Sequence, residues 1–101
     1  MNDISKVSEI TASDVWEYIN PAEDLDTGTE QLLNNLIGIA KTFISSYTGR
    51  DADELDNFQD FVIVALVLCQ DMYDNRTLYV DKGNLNKVIE SILGLHSVNL
   101  L

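Results

Sequence analysis

The sequence predicts an all-α fold: a small bundle of about four helices around a long apolar central helix, closed by a short C-terminal tail. Three observations lead there. Apolar residues recur at three- and four-residue spacing in successive segments. Helix-start and helix-stop residues punctuate those segments. The one long apolar run, Phe61 to Cys69, keeps the helical period beyond both of its ends. A chain of 101 residues corresponds to one domain, spanning 1–101, with a modest core.

The first helix is expected over 12–19. Thr11 can cap it, with Asp14 in the capping-box position, and Val15, Trp16 and Ile19 mark its apolar side. Asn20-Pro21 ends it, because the residue before a proline resists helical angles. The acidic loop "AEDLDTG" follows. The second helix is expected from Gly28 to Tyr47, with Thr27 and Glu30 as its capping pair. Leu32, Leu33, Leu36, Ile37, Ala40, Phe43, Ile44 and Tyr47 form one broad apolar face. Gly49 suits the left-handed position just past the helix end.

The third helix holds the apolar run. Val62, Ile63, Val64 and Val67 favour a strand locally. The flanking positions Phe58, Met72 and Tyr73 continue the helical spacing, so the reading is a single helix. A helix apolar on all sides must be covered on all sides: two or three short neighbours can do that in part, and a partner subunit could supply the remainder. Residues 76–84 read as a connector, with Leu78, Tyr79 and Val80 extended and "DKGN" as a turn. The fourth helix is expected from Leu85 to Leu93, with Leu85, Val88, Ile89, Ile92 and Leu93 on its apolar face and Gly94 stopping it. The tail "LHSVNLL" is mostly apolar and is expected to fold back onto the core or to dock elsewhere.

Nine apolar residues are too few for a membrane span, which needs about 18 or more, and Asp60 and Asp71 bracket the run. The N-terminus lacks the basic-then-apolar layout of a signal peptide. A soluble protein made in a cytoplasm is the expectation, with no membrane partner. Cys69, inside the run, reads as a small buried hydrophobe. Six basic residues against seventeen acidic ones leave a net charge of −11, which repels nucleic-acid phosphates. Such acidity keeps a protein dispersed, meets a basic partner, or lines a path that DNA passes without sticking. Composition alone favours the first.

No catalytic constellation is legible, and the chain is read as a non-enzyme without cofactor or metal. His96 is the only histidine, and with Cys69 it forms neither a zinc set nor a nucleophile–base pair. The acidic segment 50–60 fails the calcium-loop pattern, because Asp56 and Val62 stand where glycine and glutamate are needed. Asp51, Asp53 and Glu54 instead complement the start of the third helix. No Gly-rich phosphate loop is present. The basic residues are scattered, with Arg50 and Arg76 flanking the two ends of the third helix.

Three phrases carry a resemblance. Tyr47-Thr48-Gly49-Arg50, the stretch Asp71 to Arg76 with Tyr73 and Arg76, and the closing stretch Ile92 to Leu101 occur in that order. Together they resemble the head–tail connector, or head-completion adaptor, of long-tailed bacteriophages and prophages. The resemblance implies a structural virion protein at the head–tail junction, present in the host cytoplasm during assembly. It implies self-association as a ring beneath the portal protein, usually matching twelvefold symmetry, and a surface for the stopper or tail-completion protein. DNA would pass through without specific binding. On this reading Leu95, His96, Val98, Leu100 and Leu101 are candidates for the portal contact, and Arg50 and Arg76 for ion pairs between subunits. The rival reading is a small acidic interaction or regulatory protein, a DNA mimic being one form of it, that occupies a basic protein. Its carboxylates cluster at helix starts and loops rather than along a phosphate-like line.

Overall fold

The computed structural model describes residues 5–98, and among them five α-helices and no strand are found. A 3-10 turn at Val7–Glu9 precedes α1 (Ala12–Ile19), α2 (Thr27–Thr48), α3 (Ala52–Leu55), α4 (Asp60–Asn75) and α5 (Lys87–Leu95). A second 3-10 turn, Lys82–Asn84, precedes α5. The all-α bundle expected from the sequence is the observed architecture.

The start of α1 follows its sequence signal. Asp14 N donates to Thr11 Oγ1 at 3.3 Å, and Thr11 N donates to Asp14 Oδ2 at 2.9 Å. Two backbone donors at the helix start are thereby satisfied reciprocally. Trp16 Nε1 donates to the Glu23 carbonyl at 2.8 Å and pins the acidic loop against α1. The cap of α2 is Asp26 rather than Thr27. Thr29 N donates to Asp26 Oδ1 at 2.7 Å, and Thr27 is the first helical residue. A carboxylate at this position also complements the helix dipole, an advantage over the neutral threonine hydroxyl. The hydrogen bonds from the Thr29 backbone and side chain hold the Asp26 carboxyl below its ordinary range. Gly49 closes α2 with φ 73°, as its position predicts.

The expected third helix is α4, and a separate single turn, α3, precedes it. One turn, α3, is held where Asp51 N donates to Glu54 Oε1 at 3.0 Å, and it buries Leu55. Phe58 lies in the link, and α4 starts only at Asp60. Packed against α1, α2, α5 and the Val7–Glu9 turn, α4 buries Phe61, Val62, Val64, Ala65, Leu66, Leu68, Cys69 and Met72. Neighbours within the chain therefore supply most of the cover that the run needs. Only Ile63, 40% exposed, is left open on the apolar run. The N-terminal segment joins this core through buried Val7 and Ile10. Ser8 fastens it further, donating from its N and Oγ to the Asp56 carboxylate at 2.9 and 2.7 Å. Those two bonds, side chain first, lower the Asp56 pKa.

At the end of α4, Arg76 takes the left-handed conformation, φ 55°. Thr77 N then reaches the Met72 carbonyl at 3.0 Å and Arg76 N the Tyr73 carbonyl at 3.3 Å, the pairing of a Schellman motif. Helix α5 starts two residues later than expected, because Asn86 caps it by accepting from Val88 N at 2.8 Å. It also runs through Gly94 to Leu95. Gly94 is not in a left-handed conformation, so the helix stops where His96 and the following residues are tied to the core. Ile89 and Leu93 face inward, while Val88, expected on the buried face, is 65% exposed.

Candidate functional site

Two features stand out: a polar corner that holds the C-terminal segment, and a pair of uncharged apolar surfaces. The corner forms where the end of α2, α3, the start of α4 and residues 96–98 meet. Its base is Thr48, which is buried and donates from Oγ1 to the Ile44 carbonyl at 2.7 Å. The Thr48 carbonyl accepts from Val98 N at 2.7 Å. Gly49 turns the chain so that Arg50 points along the same edge, with the Arg50 carbonyl accepting from Ser45 Oγ.

Arg50 then engages three elements. Its Nε donates to the His96 carbonyl at 2.6 Å, its Nη1 lies 3.4 Å from Glu54 Oε2, and its guanidinium stands 4.5 Å from the Phe58 ring centroid. His96 is held from the other side. Its Nε2 is 2.8 Å from Asp60 Oδ2, and its ring packs 4.4 Å from Phe58 and edge-on to Phe61 at 5.3 Å. The described part of the tail therefore folds back onto the core, one of the two outcomes expected of it.

The candidate portal-contact residues thus separate. Leu95 is 76% exposed and Val98 38% exposed, while the His96 side chain is directed inward. Leu100 and Leu101 lie outside the described residues. Of the family-like residues, Thr48, Gly49 and Arg50 converge on the corner, whereas the Tyr47 ring packs 5.7 Å from Phe43 along α2. Tyr73 and Arg76 stand apart from it, paired with each other, the Arg76 guanidinium 4.6 Å from the Tyr73 ring. Tyr73 also meets Trp16 edge-on at 5.9 Å. Arg50 spends its polar contacts within the chain. Arg76 is exposed and has no carboxylate partner among the described residues.

The second feature was not singled out in the sequence. The broad apolar face of α2 divides into two rows. Leu33, Leu36, Ile37, Ala40 and Ile44 are buried, whereas Leu32, Ile39, Phe43 and Tyr47 are half-buried. Between Ile39, Phe43, the outer residues Asn34, Asn35 and Gly38, and the connector with Tyr79 lies an open groove of about 820 Å³. Leu78 and Tyr79, expected to be extended, form a bend and are 65% and 62% exposed. On α5, Val88, Ile92 and Leu95 share a face, with Ile92 half-buried and the other two open. The only advance signal was Val88 and Ile92 on α5 and the excess width of the α2 apolar face.

Elsewhere a smaller cleft of about 370 Å³ is lined by Leu68, Asp71, Met72, Asn75 and Leu85 among others. Partial burial, and secondarily the Asp74 charge, raise the Asp71 carboxyl above its ordinary value. Burial pushes the Cys69 thiol up to about 12, as suits a packing residue. Among the described residues no cluster of three or more His, Cys, Asp or Glu side chains is placed to hold a metal ion. No described helix is long and apolar enough to cross a membrane. The chain matches no family model, no curated protein and no solved structure in the comparisons made.

Proposed function

We propose that the protein is an adaptor subunit of a bacteriophage head–tail junction, one member of a ring beneath the portal protein. In this role it extends the DNA channel and presents a surface to the stopper or tail-completion protein. The observation that carries the reading is the pair of exposed apolar residues on α5, Val88 and Leu95, beside a C-terminal segment that the Thr48–Arg50 corner holds in a defined place. Apolar side chains left open beside an ordered chain end suit docking onto a larger assembly. The net charge of −11 suits a channel wall along which DNA slides, since it repels phosphates. Val98 is the portal-contact residue of this reading, and Arg76 is its candidate for an ion pair between subunits.

The test is co-sedimentation with tailless capsids of the same phage, with and without portal. Saturable binding that requires the portal, near one subunit per portal chain, is expected. Val98→Glu is expected to weaken that binding at least about tenfold, about 1.4 kcal/mol, with an unchanged helical circular-dichroism spectrum. If the folded protein binds neither capsid, the adaptor reading fails. The acidic interaction protein, acting on a basic partner, then takes its place.

A further inference from the structure

We infer that neighbouring copies of the chain associate head to tail, the α5 stripe Val88, Ile92 and Leu95 of one copy seated in the α2 groove of the next. The inference deepens the adaptor reading, on which it rests, by naming the surfaces through which adjacent subunits touch.

Charge selects the occupant. Two copies that each carry −11 repel wherever their acidic surfaces approach. The groove is exempt, because none of the residues lining it is charged, although seventeen acidic and six basic residues are spread over the chain. Its outer rim is made of Asn34, Asn35, Thr42 and Ser46, and its apolar wall of Ile39 and Phe43. The α5 stripe is similarly balanced, since Lys87 and Glu90 are the only charged residues of that helix. A basic partner would gain nothing from an uncharged groove and would be drawn to the acidic surfaces instead.

Shape agrees with charge. Val88, Ile92 and Leu95 stand at i, i+4 and i+7, the spacing with which a helix lays anchors into a groove. The groove is open at the point a helix would enter it, since a Cβ added at Gly38 meets nothing within 4 Å. Groove and stripe belong to different elements of one chain. A contact between them is heterologous, and such contacts close into rings when the rotation per subunit allows.

Single-cysteine exchange tests the pairing. Gly38→Cys and Leu95→Cys proteins, one carrying a size tag, are mixed at high concentration and oxidised, in solution and bound to portal-bearing capsids. Asn35→Cys serves as a second groove position. The native Cys69 is buried and stays silent. Groove-to-stripe disulfides are expected to exceed groove-to-groove, stripe-to-stripe and groove-to-Asp74→Cys products by about tenfold, from the effective concentration of seated side chains. Adding Val88→Asp to the stripe chain is expected to remove the excess. Equal yields for all pairs, in solution and on capsids, would overturn the inference. Capsid binding without selective cross-links overturns this pairing alone. Selective cross-links without capsid binding overturn the adaptor reading and leave the pairing standing.

Discussion

Replacing Arg50 with alanine tests the corner that fixes the C-terminal segment. The half-buried guanidinium donates through Nε to the His96 carbonyl at 2.6 Å, and a hydrogen bond from a charged group contributes about 1.5–3 kcal/mol. Its position 4.5 Å from Phe58 adds about 0.5–1 kcal/mol. The pair with Glu54, 3.4 Å apart and half-exposed, adds about 0.3–0.5 kcal/mol. These contributions share one side chain and are not additive, so Arg50→Ala is expected to lose about 2–3 kcal/mol. For a domain of this size the Tm falls by roughly 10–20 °C. Urea denaturation measures the loss. Hydrogen exchange locates it, because the Val98 amide, bonded to the Thr48 carbonyl, must exchange faster than the amides of α4. Arg50→Lys retains the charge but not the planar fork and is expected to recover less than half. A loss below about 0.5 kcal/mol for Arg50→Ala, or unchanged protection at Val98, refutes the reasoning.

Three further outcomes follow from individual side chains. Cys69, with its thiol raised to about 12, is expected to resist an alkylating reagent at pH 8 until the protein unfolds. Its folded pKa lies above its ordinary 9.0, so stability is full below pH 9 and falls as pH rises toward 12, a slope that Cys69→Ala removes and that urea midpoints read. The Asp71 carboxyl is also raised, so its charged form opposes folding and stability drops as pH climbs through its titration. Asp71→Asn is expected to raise urea stability at pH 7 by a few tenths of a kcal/mol, approximately, with solvent screening, and to have no effect once the carboxyl is protonated. Asp26 is shifted the opposite way, so its contribution is present at neutral pH and lost on acidification. Asp26→Ala is expected to lower the Tm at pH 7 while Thr27→Ala leaves it unchanged, which separates the observed cap from the one the sequence suggested.

The elements that could be read in the sequence are those with local causes. "TASD" marks the start of α1 because cap and counter-cap are three residues apart, and "TGR" marks the end of α2 because glycine alone takes φ 73° without strain. The single turn α3 ahead of α4 was hidden, since Asp51 to Asp60 holds helix-start residues at several positions and only packing decides among them. Gly94 misled for the converse reason: glycine permits a helix end without compelling one. His96 looked loose because its partners Arg50 and Asp60 are 46 and 36 residues away, beyond any periodicity. The groove was equally invisible. It arises from the bend at Leu78 and Tyr79 lying beside α2, a contact with no local signature.

Ionic strength offers a final separation between the two partner classes. An acidic protein bound to a basic surface is held by opposite charges, and salt weakens that attraction. At about 0.15 M the Debye length is about 8 Å, and it shortens further as salt is added. Copies of this chain that meet through the neutral groove and the α5 stripe are in the opposite situation. Their contact is apolar, and the force that salt screens is the repulsion between two bodies of −11. Self-association measured by sedimentation equilibrium is therefore expected to strengthen between about 0.05 and 0.5 M sodium chloride, and Val88→Asp to abolish the gain. Association that weakens over the same range would mean that charged side chains form the contact. The uncharged groove would then have no part in it.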